Sequence, residues 1–148
     1  MLKIISILSV FFLSFQNIYA EETYFLTLRN DIVNLRQGPS FDYPIKIFYK
    51  KKFLPVLVQE KYENFRKITD HENNSGWIHI SQLSKKKAAI TIENDQLLFS
   101  KPTIFSKPLV LIKKGRLCKV RKCQDTWCKI TVNNYKGWIK KDSLWGLL

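Results

Sequence analysis

Phe65-Arg66-Lys67-Ile68-Thr69, a short polar loop and Gly76-Trp77-Ile78 return further along the chain as Trp127-Cys128-Lys129-Ile130-Thr131, a polar loop and Gly137-Trp138-Ile139. In each copy a leucine follows the glycine at the seventh position, as Leu83 and then Leu144. A repeat at a period of about sixty residues is one small domain written twice. The apolar residues within each copy alternate or come in short runs, which is the spacing of strands rather than of helices.

Reading outward from the first copy, Phe25, Leu26 and Leu28, then Ile32, Val33 and Leu35, flank Arg29-Asn30-Asp31 as two short strands across a tight turn. Gly38-Pro39-Ser40 punctuates the chain, and Phe41-Asp42-Tyr43-Pro44 continues as an ordered loop until Ile45-Lys46-Ile47-Phe48 resumes a strand. Pro44 cannot donate to a central ladder, so the loop ends near it. Lys50-Lys51-Lys52 marks a solvated turn, and two further strands run through Val56 to Val58 and Phe65 to Ile68. After the polar loop Asp70 to Ser75, Gly76-Trp77-Ile78 restarts the sheet and Ser81-Gln82-Leu83 makes one helical turn. These short strands without a long amphipathic helix give an all-β unit.

Ser84-Lys85-Lys86-Lys87 marks a boundary, giving one domain over 21–86 and a second over 87–148. The second has strands at Ala89 to Ile92, Gln96 to Phe99, Val110 to Ile112, Leu117 to Lys122, Trp127 to Val132 and Gly137 to Lys140, and Asp142-Ser143-Leu144 repeats the helical turn. No Pro-Gly-Ser linker separates the halves, so the two units are expected to touch and to move little.

Residues 1–20 read differently. Lys3, an apolar run from Ile4 to Phe15 and a small residue at Ala20 make a secretory signal peptide, and the apolar run is shorter than the roughly 18 residues that span a bilayer. Its removal takes away one charge, Lys3, and lowers the net charge from +13 to +12. A periplasmic or secreted protein is expected, with no transmembrane anchor after cleavage. Such a surface attracts polyanions, namely anionic lipid headgroups, acidic wall polymers or nucleic acid, and export makes nucleic acid the least expected of these.

Val33-Asn34-Leu35-Arg36-Gln37-Gly38-Pro39-Ser40, with Tyr43-Pro44-Ile45 and Gly76-Trp77-Ile78, resembles the bacterial SH3-like (SH3b) domain. The layout Gly76-Trp77-Ile78-His79 to Leu83-Ser84, Cys123 with Trp127-Cys128, and Gly137-Trp138-Ile139 to Leu144-Trp145-Gly146 is similar to the tandem SH3-like exported proteins of proteobacteria. The resemblance implies two small five- or six-stranded β-barrels and no catalysis. The second copy departs from the pattern: Leu97-Leu98-Phe99-Ser100-Lys101-Pro102 stands where the first has Asn34-Leu35-Arg36-Gln37-Gly38-Pro39. A ligand site built on those residues is therefore in doubt for the second copy.

Beside the resemblance, the residues carry physical roles. Gly38 is expected to supply a backbone angle that a side chain forbids, and Pro39 fixes the next. Arg36 can pin its loop to a carbonyl or face a ligand carboxylate, and the structural role comes first. Trp77 and Trp138 are expected to pack on their barrels, with Trp127 and Phe65 more buried; a half-exposed Trp77 beside Tyr43 would form an apolar shelf for a peptide or sugar.

The three cysteines lie in the second half, and in an exported chain a disulfide with one thiol left over is the first expectation, well ahead of a zinc site. Cys123 and Cys128 flank a hairpin that a bridge would staple. Cys118 stands where the first copy has Val56 and reads as a small apolar residue, with Cys118 to Cys128 as the competing pairing.

Neither His71, in a polar loop, nor His79, facing outward on a strand, lies at a catalytic spacing from a cysteine, and no metal, phosphate-loop or hydrolase motif appears. The reading is a non-catalytic binding module without metal or cofactor. Its ligand is peptidoglycan or a stem peptide at Arg36, Tyr43 and Trp77, with weak lysine attraction to anionic envelope. The alternatives are an envelope protein-protein scaffold and a small basic nucleic-acid-binding barrel.

Overall fold

A computed structural model describes residues 21–148. The expected signal peptide lies outside the described residues. Strands β1 (Tyr24–Leu28), β2 (Val33–Arg36), β3 (Ile45–Tyr49), β4 (Pro55–Tyr62), β5 (Phe65–Thr69), β6 (Ser75–His79) and β7 (Leu83–Ser84) form one sheet. Strands β8 (Ala88–Thr91), β9 (Gln96–Phe99), β10 (Pro108–Ile112), β11 (Leu117–Gln124), β12 (Trp127–Val132), β13 (Tyr135–Lys140) and β14 (Leu144–Trp145) form the other. Their orders, β3-β2-β6-β5-β4-β1-β7 and β10-β9-β13-β12-β11-β8-β14, are the same topology displaced by seven strands.

The fold is all-β, as expected, with no α-helix among the described residues. Each sheet has seven strands rather than five or six. The helical turns are 3-10 turns at Ile80–Gln82 and Lys141–Ser143, and the chain leaves them one residue earlier than expected. Leu83 pairs with Leu28 and Leu144 with Thr91, so both leucines bury their side chains while adding a short strand.

Alternation places the cores. Val33 and Leu35 of β2, Val56 and Val58 of β4, Ile68 of β5 and Ile78 of β6 all turn inward with Leu28 and Leu83. Leu98, Val120, Ile130, Ile139 and Leu144 do the same in the second sheet. The long strands β4 and β11 each shift register once, between Val58 and Glu60 and between Val120 and Lys122, so the irregularity is repeated too.

Gly76 and Gly137 matter through space, not through backbone angle. A Cβ on Gly76 would lie 2.7 Å from the carbonyl oxygen of Arg36, and one on Gly137 would lie 2.6 Å from that of Phe99. Gly38 corrects the sequence reading in the same direction. Its φ is not positive; a Cβ there would lie 2.5 Å from the ring of Tyr43, so the glycine leaves room for an aromatic ring. Gly115 does take the left-handed conformation at φ +78°, and the matching place in the first domain is held by Phe53 at φ 65°. Both backbone N–H groups donate to the first or eighth strand, Phe53 to Leu28 and Gly115 to Thr91.

The two units share a packed seam. Ile90 of β8 belongs to the first domain's core, and Leu117 packs against it. Phe25 meets Trp145 edge-on at 4.9 Å, and Gly146 lies against Pro55. Cys123 and Cys128 form a disulfide between adjacent strands, and Cys118 is buried and free in the second core.

One buried polar network orders the loop between β5 and β6. Asp70 accepts from the Tyr49 hydroxyl at 2.8 Å, from the Glu72 and Asn74 amides at 2.9 Å each, and from the Asn74 side chain at 2.9 Å. Burial pushes the Asp70 carboxyl up, but the donors from Asn74, Tyr49 and Glu72 outweigh it and hold the pKa below the ordinary 3.8. Burial and the carboxylate also push the Tyr49 hydroxyl well up, so it stays a donor.

Gly76→Ala and Gly137→Ala should each cost about 1–3 kcal/mol in chemical denaturation because backbone must move to admit the methyl group. A cost of a few tenths at both would show that the strand approach is not tight. Asp70→Asn should cost about 1–3 kcal/mol at neutral pH. Because the folded pKa is depressed, that stabilisation is present above the ordinary carboxylate value and is lost as pH falls through the folded one. Denaturation curves of wild type and variant should therefore converge in acid and stay apart at neutral pH.

Candidate functional site

The outer face of the first sheet is set by the residues that alternate with its core. Arg36 of β2 pairs with Trp77 of β6, Trp77 with Lys67 of β5, and Lys67 with Glu60 of β4. Four strands thus contribute one side chain each to a single cross-strand row. Lys67 Nζ closes its end of the row on Glu60 Oε1 at 2.6 Å. β6 reaches β2 at this one residue pair, which the missing side chain of Gly76 permits.

A second row lies beside it. Phe65 pairs with His79, and the exposed ring of Phe41 covers both, with ring centroids 5.2 Å from Phe65 and 5.1 Å from His79. His79 Nδ1 accepts from the Ser81 amide at 3.3 Å and lies 2.7 Å from Ser81 Oγ, so this ring also caps the 3-10 turn. His79 does project from the outer face, yet Phe41 and Phe65 leave it only half exposed.

Arg36 ties the rows together. Its Nη1 donates to the Phe41 carbonyl at 3.1 Å and to the Tyr43 carbonyl at 2.9 Å, and its guanidinium carbon lies 5.4 Å from the Phe41 ring centroid. Gln37 N–H donates to the Pro44 carbonyl at 3.1 Å and closes the base of the loop. Nη2 and Nε make no hydrogen bond among the described residues, so the same side chain that holds the loop retains donors for a carboxylate.

Arg36 and Trp77 are therefore neighbours, and Tyr43 sits on the loop that Arg36 holds. Trp77 is half-buried, but its aromatic neighbour is Tyr62, edge-on at 6.5 Å, and the Tyr43 ring lies on Gly38. Tyr43 and Phe41 are 46% and 64% exposed, which is enough for both to offer a ring face or edge to a ligand. Phe41, His79 and Tyr62 were not read from the sequence as part of this surface. Placing Phe65 opposite His79 by hairpin register would have found His79; the seat of Phe41 depends on the path of a loop.

The second domain builds the same rows from other chemistry. Phe99 takes the place of Arg36 opposite Trp138, and its ring turns edge-on to Trp127 at 5.7 Å. Trp138 is buried under Lys122, and Lys140 replaces His79 above Trp127. The loop after β9 is held by Ser106, whose Oγ donates toward the Lys101 and Thr103 carbonyls at 3.0 and 2.8 Å. Neither an arginine fork nor a half-exposed tryptophan remains in these two rows.

The bacterial SH3 domain description matches residues 29–85 and again residues 93–146. The chain belongs to the bacterial SH3 domain family. Both copies fall on the two sheets, including the copy whose loop has lost Asn34, Arg36 and Gly38. None of the curated proteins compared with the chain matches it.

Among solved structures it is similar to NlpC2 and NlpC1 from Trichomonas vaginalis, at 13% identity and TM-scores of 0.39 and 0.38. The likeness covers 86% and 83% of this chain but 49% and 45% of those proteins, so the chain spans about half their length.

The cysteines offer no exposed nucleophile. Two are bonded to each other, and burial pushes the Cys118 thiol up to about 11 against a small opposing pull from Lys51. No group of three or more His, Cys, Asp or Glu side chains among the described residues could hold a metal ion.

Arg36→Ala should free the loop from Gln37 to Pro44 while leaving both cores intact. Loss of two hydrogen bonds predicts about 1–2 kcal/mol of destabilisation. Hydrogen exchange at the loop amides should accelerate at least tenfold, with the amides of β4 and β5 changed far less. Unchanged loop protection would show that Arg36 does not hold it.

Proposed function

We propose that this protein is a non-catalytic periplasmic or secreted binding module whose ligand is peptidoglycan, engaged through its stem peptides. The observation that carries this reading is the surface where Arg36, its pinned loop and Trp77 meet. It places unused guanidinium donors beside half-buried and exposed aromatic rings, on strands held by a packed core. A stem peptide presents carboxylates and short apolar side chains, which match a guanidinium donor and an aromatic shelf.

In this reading the domain over 21–86 binds and the domain over 87–148 braces it, since Phe99 replaces the arginine and Trp138 is covered. Arg36 acts first as a positioning residue, setting Tyr43, and second as a contact through Nη2 or Nε. The disulfide supports an oxidising compartment, where such a bond persists. A cysteine-peptidase role would need a reactive thiol, and the cysteine chemistry described above disfavours it.

The test is pelleting with purified peptidoglycan sacculi at low and high salt, using protein purified from cells expressing the full-length chain. Exposed charge attraction is screened beyond roughly 10 Å at 0.1 M salt. Pelleting that persists in salt and falls at least fivefold in folded Trp77→Ala and Tyr43→Ala variants supports the reading. Absence of pelleting, or pelleting that salt abolishes and both variants retain, overturns it.

A further inference from the structure

A different region of the molecule gathers lysines with no acidic side chain among them. An open cleft of about 680 Å³ lies along the seam between the two domains. Its floor is apolar, formed by Phe25, Leu26, Ala88, Val120 and Leu147, and the Phe25 ring is braced by Trp145 behind it. Five of the lining residues are lysines, Lys85, Lys86, Lys87, Lys122 and Lys141, and none has an acidic side chain; Lys141 Nζ donates to the Leu148 carbonyl at 3.0 Å and Lys122 Nζ lies over Trp138, which leaves Lys85, Lys86 and Lys87 to carry the cleft's charge. Among the described residues, lysine-carboxylate pairs occur at Lys67 with Glu60 and Lys113 with Asp95, both elsewhere.

The rim continues past the cleft. Lys86 lies 5.2 Å from the ring centroid of Phe53, and Lys119 and Lys52 approach the same ring at 5.4 and 5.5 Å. Three ammonium groups on one ring stay within or near the roughly 10 Å over which 0.1 M salt leaves charges in mutual contact. The ring they share belongs to the residue that keeps a left-handed backbone where the second domain has Gly115.

We propose that this cleft binds a phospholipid, with the phosphate on the lysine rim around Lys86 and the start of an acyl chain on the Phe25 and Leu147 floor. The apolar floor decides among anions. A hydrophilic polyanion would satisfy the lysines and leave that floor in water, whereas an amphiphile covers both. The site is independent of the wall-binding surface, which lies on β2, β5 and β6 of the first domain. One site can therefore fail while the other stands.

Fluorescence or calorimetric titration with lysophosphatidic acid below its micelle concentration tests this directly, with glycerol 3-phosphate as the headgroup alone. The full-length expressed protein should bind the acylated ligand at least tenfold more tightly than glycerol 3-phosphate. Lys86→Gln with Lys87→Gln should weaken that binding at least tenfold. Lys107→Gln with Lys136→Gln removes the same charge away from the cleft and should change it less than threefold. Equal affinity for the two ligands overturns the proposal by showing that the floor is idle. Equal losses in the two double variants overturn it as diffuse charge attraction. Failure to bind lysophosphatidic acid, or tighter binding of a single-stranded oligonucleotide under the same conditions, overturns it as well.

Discussion

Everything on the outer face of the first sheet depends on two strands meeting at one residue pair. β6 touches β2 only where Trp77 faces Arg36, and the backbone at Gly76 comes so close to the Arg36 carbonyl that a methyl group has no room. That contact carries the sheet from the β4-β5-β6 meander round to β2 and β3. It also sets an indole beside a guanidinium. The second domain repeats the contact at Gly137 and Phe99 with nearly the same spacing, although the side chains it brings together differ. The constraint belongs to the fold, and the chemistry laid on it is free to change.

The two domains show that freedom. Where the first has an arginine that forks into its own loop, the second has a phenylalanine that packs on Trp127 and a serine that holds the loop instead. With Phe99 packed on Trp127 and Lys122 lying over Trp138, the corresponding face of the second domain is covered rather than partly open. The second domain gains its own brace in the disulfide between β11 and β12. It also lends Ile90 to its neighbour's core, so the two units are packed against each other along the seam.

Much of the fold was legible in the sequence because the repeat and the strand alternation are local signals. Ile68, Ile78, Ile130 and Ile139 could be assigned inward from spacing alone. The seventh strands were not, since two residues after a helical turn carry no periodicity. Gly38 was recognised as special for the wrong reason: a glycine required by a neighbouring ring looks the same in sequence as one required by a positive φ. Arg36, Tyr43 and Trp77 were legible as candidates, but the coverage of His79 by Phe41 and the partnership of Trp77 with Tyr62 arise from loop path and cross-strand register. The lysine cleft was invisible for a related reason. Its residues come from β1, the interdomain segment, β11 and the last turn, and only packing of the two domains gathers them.

The central claim, that the first domain binds wall peptide and the second braces it, is tested most directly by amide chemical-shift mapping with a soluble muropeptide. The account predicts saturable shifts at residues 36–43 and at Trp77 and His79, with residues 99–107 and Trp138 unmoved. Shifts of equal size in both domains, or shifts confined to the second, would contradict it.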